Sequence, residues 1–96
     1  MIEDKTEIYY LKYCVLSECV YVDIFHIEPM YRGRGCSYKI FSKLQEKYNL
    51  PIMLECWPTL INFYRKLGFK TLAEEKNEPI FYSEDGYVEM IKTINN

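Results

Sequence analysis

The chain has 96 residues, a length that suits one hydrophobic core, and we predict a single domain over residues 1–96. Its net charge of −2 argues against general affinity for nucleic acid, so no nucleic-acid partner is predicted. Although 49% of the residues are hydrophobic, no apolar run approaches the length that crosses a membrane, and no membrane association is predicted.

Two strands are predicted in the first part of the chain. Residues 7–16 are rich in tyrosine and aliphatic side chains, and residues 19–27 form a second run of β type. Simple alternation divides the second strand into two faces: Tyr21, Asp23, Phe25 and Ile27 on one side, and Val20, Val22, Ile24 and His26 on the other. Both faces are mostly apolar, which predicts a central strand.

A parallel strand–helix–strand unit is predicted next. Residues 36–48 form an amphipathic helix, and its apolar face consists of Cys36, Ile40, Phe41, Leu44 and Tyr48. Residues 52–56 form a short buried strand that returns beside the strand at residues 19–27. A ligand crevice is expected beyond the end of that earlier strand.

The last third of the chain is predicted to hold a second helix and three strands. The helix begins at Pro58, runs to Leu67 and ends at Gly68, because glycine readily adopts the left-handed conformation that terminates helices. Strands are predicted at residues 69–74, 79–83 and 87–94, the last two joined by a turn. The expected fold class is α/β, with a mixed central sheet of about five to six strands and two helices.

The segment Arg32-Gly33-Arg34-Gly35-Cys36-Ser37 lies between the predicted strand and the predicted helix. Its glycines allow backbone N–H groups to approach an anion, the helix start adds free donors, and the arginines add charge. It lacks the Gly-Lys-Ser/Thr ending of a P-loop and the third glycine of a dinucleotide fold. The segment therefore indicates a different phosphate-binding loop, and the alternative is a surface turn with solvated arginines.

The cysteines and the single histidine give no metal-binding pattern. The four cysteines, at positions 14, 19, 36 and 56, include no Cys-x-x-Cys pair, and His26 has no partner at a metal-ligand interval. We therefore predict no metal site and interpret the cysteines as buried free thiols of a cytosolic protein. The first five residues are polar and lack the apolar core of a secretory signal, so a cytoplasmic location is predicted.

Two segments resemble the GCN5-related N-acetyltransferase (GNAT) family. Residues 27–37 are similar to the family's acetyl-CoA motif, Arg/Gln-x-x-Gly-x-Gly/Ala, with Arg32 and Gly35 at the first two conserved places and Ser37 at the third. Residues 63–69, Phe-Tyr-Arg-Lys-Leu-Gly-Phe, are similar to the family's second motif. The order and spacing of the segments also agree, so the resemblance covers most of the chain from Cys19 onward.

The resemblance implies a small N-acetyltransferase fold that lacks the family's first two helices, because few residues precede Cys19. Acetyl-CoA is the implied cosubstrate. Its diphosphate is expected to bind Arg32, Gly33, Arg34, Gly35, Cys36 and Ser37, and its pantetheine arm to pair with the backbone of Phe25 and Ile27. Trp57 occupies the place where the family often has an asparagine that contacts the cofactor.

The implied reaction is direct acetyl transfer to a primary amine, either a protein lysine or N-terminus or a small amine. The absence of the first two helices leaves the acceptor side open, which suits a protein acceptor, and a homodimer is an alternative way to complete that wall. Minimal members of the family include phage-encoded proteins that modify host-defence proteins.

Several residues are candidates for the proton transfers. A base must take the proton of the attacking amine, and the candidates in order are Glu55, Glu28 and Asp23. Tyr64 resembles the family's general acid, which protonates the leaving thiolate. The alternative role for Tyr64 is packing against Phe69 in a Schellman helix ending.

Other interpretations remain open from the sequence. His26 is interpreted as a core or sheet-covering residue, and the alternative is a catalytic role. The whole chain could instead be a CoA-binding regulatory module without catalytic activity. A further alternative is an interaction or inhibitory protein that acts through its surface tyrosines, since the chain contains ten tyrosines.

Overall fold

The computed structural model describes residues 1–94. It contains six strands, numbered in chain order: β1 Ile2–Lys5, β2 Tyr9–Val15, β3 Val20–Ile27, β4 Ile52–Cys56, β5 Lys70–Thr71 and β6 Val88–Lys92. Its three α-helices are α1 Cys36–Tyr48, α2 Ile61–Lys66 and α3 Leu72–Lys76, and short 3-10 helices at Pro29–Tyr31 and Pro58–Leu60 precede α1 and α2. None of the helices among these residues is long and apolar enough to span a membrane.

The strands form one mixed sheet in the order β1-β2-β3-β4-β6-β5. β3 and β4 are parallel neighbours joined through α1, and the other neighbouring pairs are antiparallel. No α-helix precedes Cys36 in the part of the chain that the structure describes. The predicted α/β class, with a mixed sheet of five to six strands, is confirmed.

A β-bulge interrupts β3 at Asp23. Tyr13 of β2 is opposite Val22, and its neighbour Lys12 is opposite Ile24, so Asp23 has no partner in the register of β2 and β3. An extra residue of this kind shifts the alternation of all side chains that follow it by one position. The bulge therefore exchanges the two faces of β3 in its second half.

The bulge allows both halves of β3 to place apolar side chains on the core face. Val20 and Val22 are buried before the bulge, and Ile27 is buried after it. Phe25 packs on α1, where its ring centroid lies 4.7 Å from that of Phe41. The predicted division of β3 into strictly alternating faces is therefore wrong beyond Val22.

Phe41 of α1 is the centre of the core and is fully buried. Its ring lies 4.7 Å from Phe25, 5.2 Å from Phe69 and 6.4 Å from Tyr64, measured between centroids. Phe25 belongs to β3, Tyr64 to α2, and Phe69 directly precedes β5. Burial of a side chain of this size contributes about 1.5–3 kcal/mol, so Phe41 holds α1 and α2 on the same face of the sheet.

Lys92 of β6 connects the last strand to both longer helices. Its side chain is buried, and Nζ donates a hydrogen bond of 3.0 Å to the carbonyl oxygen of Leu67, at the end of α2. Its own carbonyl oxygen accepts a bond of 2.9 Å from Gln45 of α1. A Cβ atom at Gly68 would lie 2.7 Å from Lys92 Nζ, so only glycine leaves room for this contact.

Residues 69–74, predicted as a strand, form the two-residue strand β5 and then α3. The signal that the prediction missed is a helix cap, because the Thr71 hydroxyl accepts a hydrogen bond of 3.1 Å from the backbone N–H of Glu74. Thr71 and Glu74 have the spacing of a capping box. Asn77 ends α3 in the left-handed conformation.

The predicted closing pair of strands is also only partly present. Residues 79–83 form no strand, and a single bridge joins Tyr82 to Val88. On one edge β6 pairs with β4 along its whole length, and on the other edge β5 pairs with Met90 and Ile91, so only the start of β6 is left for Tyr82. At the other end of the chain, β1 pairs with β2 although its residues are polar and exposed, and the sequence did not predict it.

Phe41→Ala is expected to lower the free energy of unfolding by about 3–5 kcal/mol, because it removes a fully buried ring and leaves a cavity. Phe81→Ala is the matched control, since Phe81 is 82% exposed and its loss should change the value by less than about 0.5 kcal/mol. Urea unfolding measures both. Equal effects of the two substitutions would contradict the assigned core, and Phe41→Leu replaces Phe41→Ala if the latter does not fold.

Alkaline pH is expected to destabilise the fold through its buried tyrosines. Burial, aided at Tyr13 by a hydrogen bond to Tyr48, raises the pKa of Tyr13 and Tyr64 to about 12. The unfolded chain releases these protons near pH 10, so the free energy of unfolding should be unchanged below about pH 10 and fall towards pH 12. Urea midpoints at increasing pH measure this, and Tyr64→Phe should make the decline shallower. A constant midpoint up to pH 12 would contradict it.

Candidate functional site

β3 and β4 separate after a short stretch of parallel pairing. Their register ends with Val22 opposite Leu54, whereas β3 continues to Ile27. Glu28 donates its backbone N–H to Ile8, on the β2 side, and successive residues of a strand direct their N–H and C=O groups to alternate sides. The amides of Phe25 and Ile27 therefore face the side that β4 has left, and β4 provides no partner for them among residues 1–94.

A cavity of about 340 Å³ opens beside this free strand edge. It is lined by the end of β3, the glycine-containing loop and α2, through Phe25, His26, Ile27, Arg32, Gly33, Ser37, Leu60, Phe63 and Tyr64. Its volume lies within the usual range of small-molecule sites. Six of the predicted site residues contribute to the lining: Phe25, Ile27, Arg32, Gly33, Ser37 and Tyr64.

The loop leaves the first amides of α1 free for a ligand. Gly33 and Gly35 have φ angles of +75° and +77°, which other residues adopt only with strain, and a Cβ on either glycine would contact nothing within 4 Å. Gly35 is the N-cap of α1 and offers no side-chain acceptor, so Cys36 and Ser37 begin the helix with unpaired N–H groups. The positive φ angles, and not a lack of space, explain why glycine occupies both positions.

Arg32 and Arg34 differ in their surroundings. Arg32 borders the cavity, and its Nε donates a hydrogen bond of 2.9 Å to the carbonyl oxygen of Ile27. Part of the Arg32 guanidinium therefore fastens the loop to the end of β3, and its other N–H groups stay available. Arg34 is exposed and does not line the cavity.

Tyr64 lies at the end of α2 and combines the two roles that the sequence left as alternatives. Phe69 donates its backbone N–H to the Tyr64 carbonyl, and Gly68 donates to Arg65, which together form a Schellman ending. The rings of Tyr64 and Phe69 pack with centroids 5.5 Å apart. The same tyrosine lines the cavity, so the packing role is present and does not exclude a chemical one.

The phenol of Tyr64 keeps its proton at every physiological pH. Burial, with a smaller contribution from the nearby Cys56, raises the pKa of Tyr64 to about 12. Its hydroxyl is therefore a hydrogen-bond donor at neutral pH. Complete transfer of its proton to a thiolate, whose conjugate acid has a pKa near 8.5, would be unfavourable by itself.

The predicted bases lie outside the cavity lining. Glu55 is exposed on the sheet face opposite the core, where it is directly across from Glu89 of β6. Burial and the charges of Glu55 and Glu89 raise the pKa of the neighbouring Tyr21 to about 12. Glu28 follows β3 immediately, and its Oε1 lies 3.7 Å from Nε2 of His26.

Three cavity residues were not predicted: His26, Leu60 and Phe63. His26, expected to be a core or sheet-covering residue, borders the cavity and is half-exposed, because the bulge at Asp23 places its side chain on the sheet face opposite the core. Simple alternation could not reveal this, since it grouped His26 with Val20 and Val22, which are buried. Among residues 1–94, no group of three or more His, Cys, Asp or Glu side chains could hold a metal ion.

The sequence matches no protein-family model and no curated protein, but solved structures share its fold. A protein described as a GNAT-family acetyltransferase from Bacteroides thetaiotaomicron matches with a TM-score of 0.67 and 25% identity, over 93% of this chain and 56% of that one. The anti-CRISPR protein AcrVA5 matches with a TM-score of 0.63 and 18% identity, over 92% of this chain and 95% of that one.

An aminoglycoside 6′-N-acetyltransferase complexed with coenzyme A matches with a TM-score of 0.69 and 12% identity, over 98% of this chain and 72% of that one. This chain thus spans little more than half of the Bacteroides protein but nearly the full length of AcrVA5. The resemblance suggested by the two sequence motifs is confirmed at the level of the fold. The chain has the fold of the GNAT acetyltransferases, in a form without helices ahead of the β3–β4 unit among residues 1–94.

Proposed function

We propose that the chain is an acetyl-CoA-dependent N-acetyltransferase that moves the acetyl group directly to a primary amine. The observation that carries this proposal is one cavity bordered by a free strand edge, a loop of unpaired amides and the Tyr64 phenol. Each of the three matches one part of an acyl-CoA molecule. The shared fold and the coenzyme A complex of the aminoglycoside acetyltransferase support the same assignment.

The diphosphate of the cosubstrate would bind the loop from Arg32 to Ser37. The backbone N–H groups of Cys36 and Ser37 and the positive end of the α1 dipole favour a dianion at this point. Arg34 is exposed and can add its charge at the mouth of the loop. Ser37 replaces the glycine or alanine of the motif, and its hydroxyl provides one more donor.

The pantetheine arm would pair with β3 in the manner of an added strand. Phe25 and Ile27 direct their amides to the gap between β3 and β4, and an extended amide chain can hydrogen-bond there. The Ile27 carbonyl already accepts a bond from Arg32, so the N–H of Ile27 and both groups of Phe25 remain for the ligand. This arrangement would direct the thioester along the cavity towards α2.

Tyr64 would stabilise the sulfur as the C–S bond breaks. Its protonated phenol can donate a hydrogen bond to the developing thiolate, and a proton supplied to Tyr64 at the same time would allow complete transfer. Glu55 and Glu28 remain the bases predicted from the sequence. The carboxylates of Glu55 and Glu89 on the open sheet face would attract a cationic acceptor.

The acceptor would be a lysine side chain or N-terminus of a protein rather than a small amine. No helix precedes β3 among residues 1–94, so no described element closes the cavity on the acceptor side. AcrVA5, with nearly the same length, is a neighbour that has the fold at this reduced size. Alternatively, a second copy of the chain would close the acceptor side of the cavity in a homodimer.

Gly35→Ala is expected to weaken coenzyme A binding at least about tenfold. Alanine is strained at the positive φ of Gly35, by about 1 kcal/mol or more, and relief of that strain would turn the loop amides away from the diphosphate. Gly86→Ala is the matched control, because Gly86 has a φ of +85° but lies outside the cavity lining. Calorimetry measures both affinities, and equal weakening by the two substitutions would contradict the assigned loop.

Tyr64→Phe is expected to lower acetyl transfer about 100-fold and to leave coenzyme A affinity and thermal stability nearly unchanged, because it removes the hydroxyl and keeps the packed ring. Transfer is measured as free thiol released from acetyl-CoA and as new acetyl groups, found by mass spectrometry, on proteins of a cell extract. Full activity of Tyr64→Phe would remove the hydroxyl from the mechanism. Coenzyme A binding without transfer by the unmodified chain would instead favour the regulatory module.

A further inference from the structure

We propose that His26 is the general base of the acetyl transfer, with Glu28 as the counter-ion of its protonated form. This inference deepens the proposed function and rests on it. It assigns to the single histidine of the chain a role for which the sequence favoured Glu55 and then Glu28.

His26 is located between the two residues whose amides border the gap between β3 and β4. Phe25 and Ile27 turn their side chains to the core, so the side chain of His26 lies on the opposite face of the strand. It lines the same cavity as Tyr64, and its side chain is 47% exposed. A ligand paired with Phe25 and Ile27 would therefore pass directly beside the imidazole.

Glu28 provides an anion beside the imidazole. Its Oε1 lies 3.7 Å from His26 Nε2, a distance that suits an ion pair but exceeds a hydrogen bond. The attraction develops when the imidazole gains a proton, so Glu28 stabilises the form that a base has after reaction. Because Nε2 is directed to Glu28, Nδ1 is the nitrogen that would accept the proton.

None of the other ionisable side chains described around His26 is placed to act as the base. Tyr10 is opposite His26 on β2, and its hydroxyl donates to Glu3. Arg32 borders the same cavity and is engaged with the Ile27 carbonyl. Tyr64, also in the lining, is a proton donor because burial raises its pKa to about 12. Among the cavity-lining residues, His26 is the one that carries an imidazole, the side chain that most often serves as a general base in enzymes.

The proposed step balances in atoms and charge. The amine nitrogen forms a C–N bond to the acetyl carbon, the C–S bond breaks, and its electron pair goes to sulfur. His26 takes the proton that the nitrogen releases. The sulfur receives a proton from the Tyr64 hydroxyl, and water in the open cavity returns the proton of the imidazolium to Tyr64. The products are the acetylated amine and the free thiol of coenzyme A, and both side chains return to their starting states.

His26→Gln is expected to slow acetyl transfer to butylamine, a mimic of the lysine side chain, about 100-fold at neutral pH. Coenzyme A affinity should stay within about twofold of the original, because glutamine preserves the strand and its amides. The acidic limb of the pH–rate profile should disappear in His26→Gln, and Glu28→Gln should slow transfer less than His26→Gln does, because it removes only the counter-ion. Glu7→Gln is the control for Glu28→Gln, because it removes the same charge from another exposed glutamate.

A second measurement does not depend on finding an acceptor. Because the chain has one histidine, its imidazole signals in an NMR spectrum need no assignment by mutation. Saturation with S-acetonyl-CoA, an unreactive analogue of the cosubstrate, should shift these signals and give a nuclear Overhauser contact between the acetonyl methyl group and the imidazole ring. Absence of this contact in a saturated sample would overturn the proposal.

The outcomes separate this inference from the function on which it rests. No heat of coenzyme A binding in the unmodified chain would overturn both. Binding together with an active His26→Gln variant would overturn the inference and leave the proposed function intact. A larger loss in Glu28→Gln or Glu55→Gln than in His26→Gln would identify that carboxylate as the base instead.

Discussion

The extra residue at Asp23 is the feature on which both the core and the cavity depend. Without it, a strand that buries Val20 and Val22 would expose Phe25 and direct the amides of Phe25 towards β2. With it, the same strand stays apolar on the core face and presents free amides where β4 has separated from it. One extra residue thus allows β3 both to pack Phe25 against α1 and to leave its edge open for a ligand.

Packing and chemistry also coincide at Tyr64. Its ring completes the helix ending with Phe69 and contacts Phe41, and the same residue lines the cavity. Burial of the ring raises the pKa of the phenol. Tyr64 therefore stays protonated at neutral pH, and complete transfer of its proton to the sulfur is unfavourable. A partner that returns a proton is therefore a physical requirement of the proposed reaction, and His26 is the side chain in the same cavity that meets it.

The sequence predicted those parts of the molecule that follow from local rules. The β3–α1–β4 unit, the glycine loop and the α2 ending at Gly68 each have short-range signals, and six of the predicted site residues line the cavity. The bulge at Asp23 was not predictable, because it is defined by the register with β2. The exposure of His26 was not predictable for the same reason, since the bulge places its side chain on the open face of the sheet. The capping box that begins at Thr71 was a local signal that strand propensity obscured.

Lys92 is synthesised late in the chain but stabilises the end of α2, which borders the cavity. It follows every other described element along the chain, yet β6 lies inside the sheet and the Lys92 ammonium holds the end of α2. A nascent chain that stops before β6 would leave β4 and β5 without their shared neighbour, and Tyr64 without the strand that anchors its helix. The α2 side of the cavity is therefore fixed by a residue that is synthesised after the helix it anchors, so this wall can form only once β6 has been made.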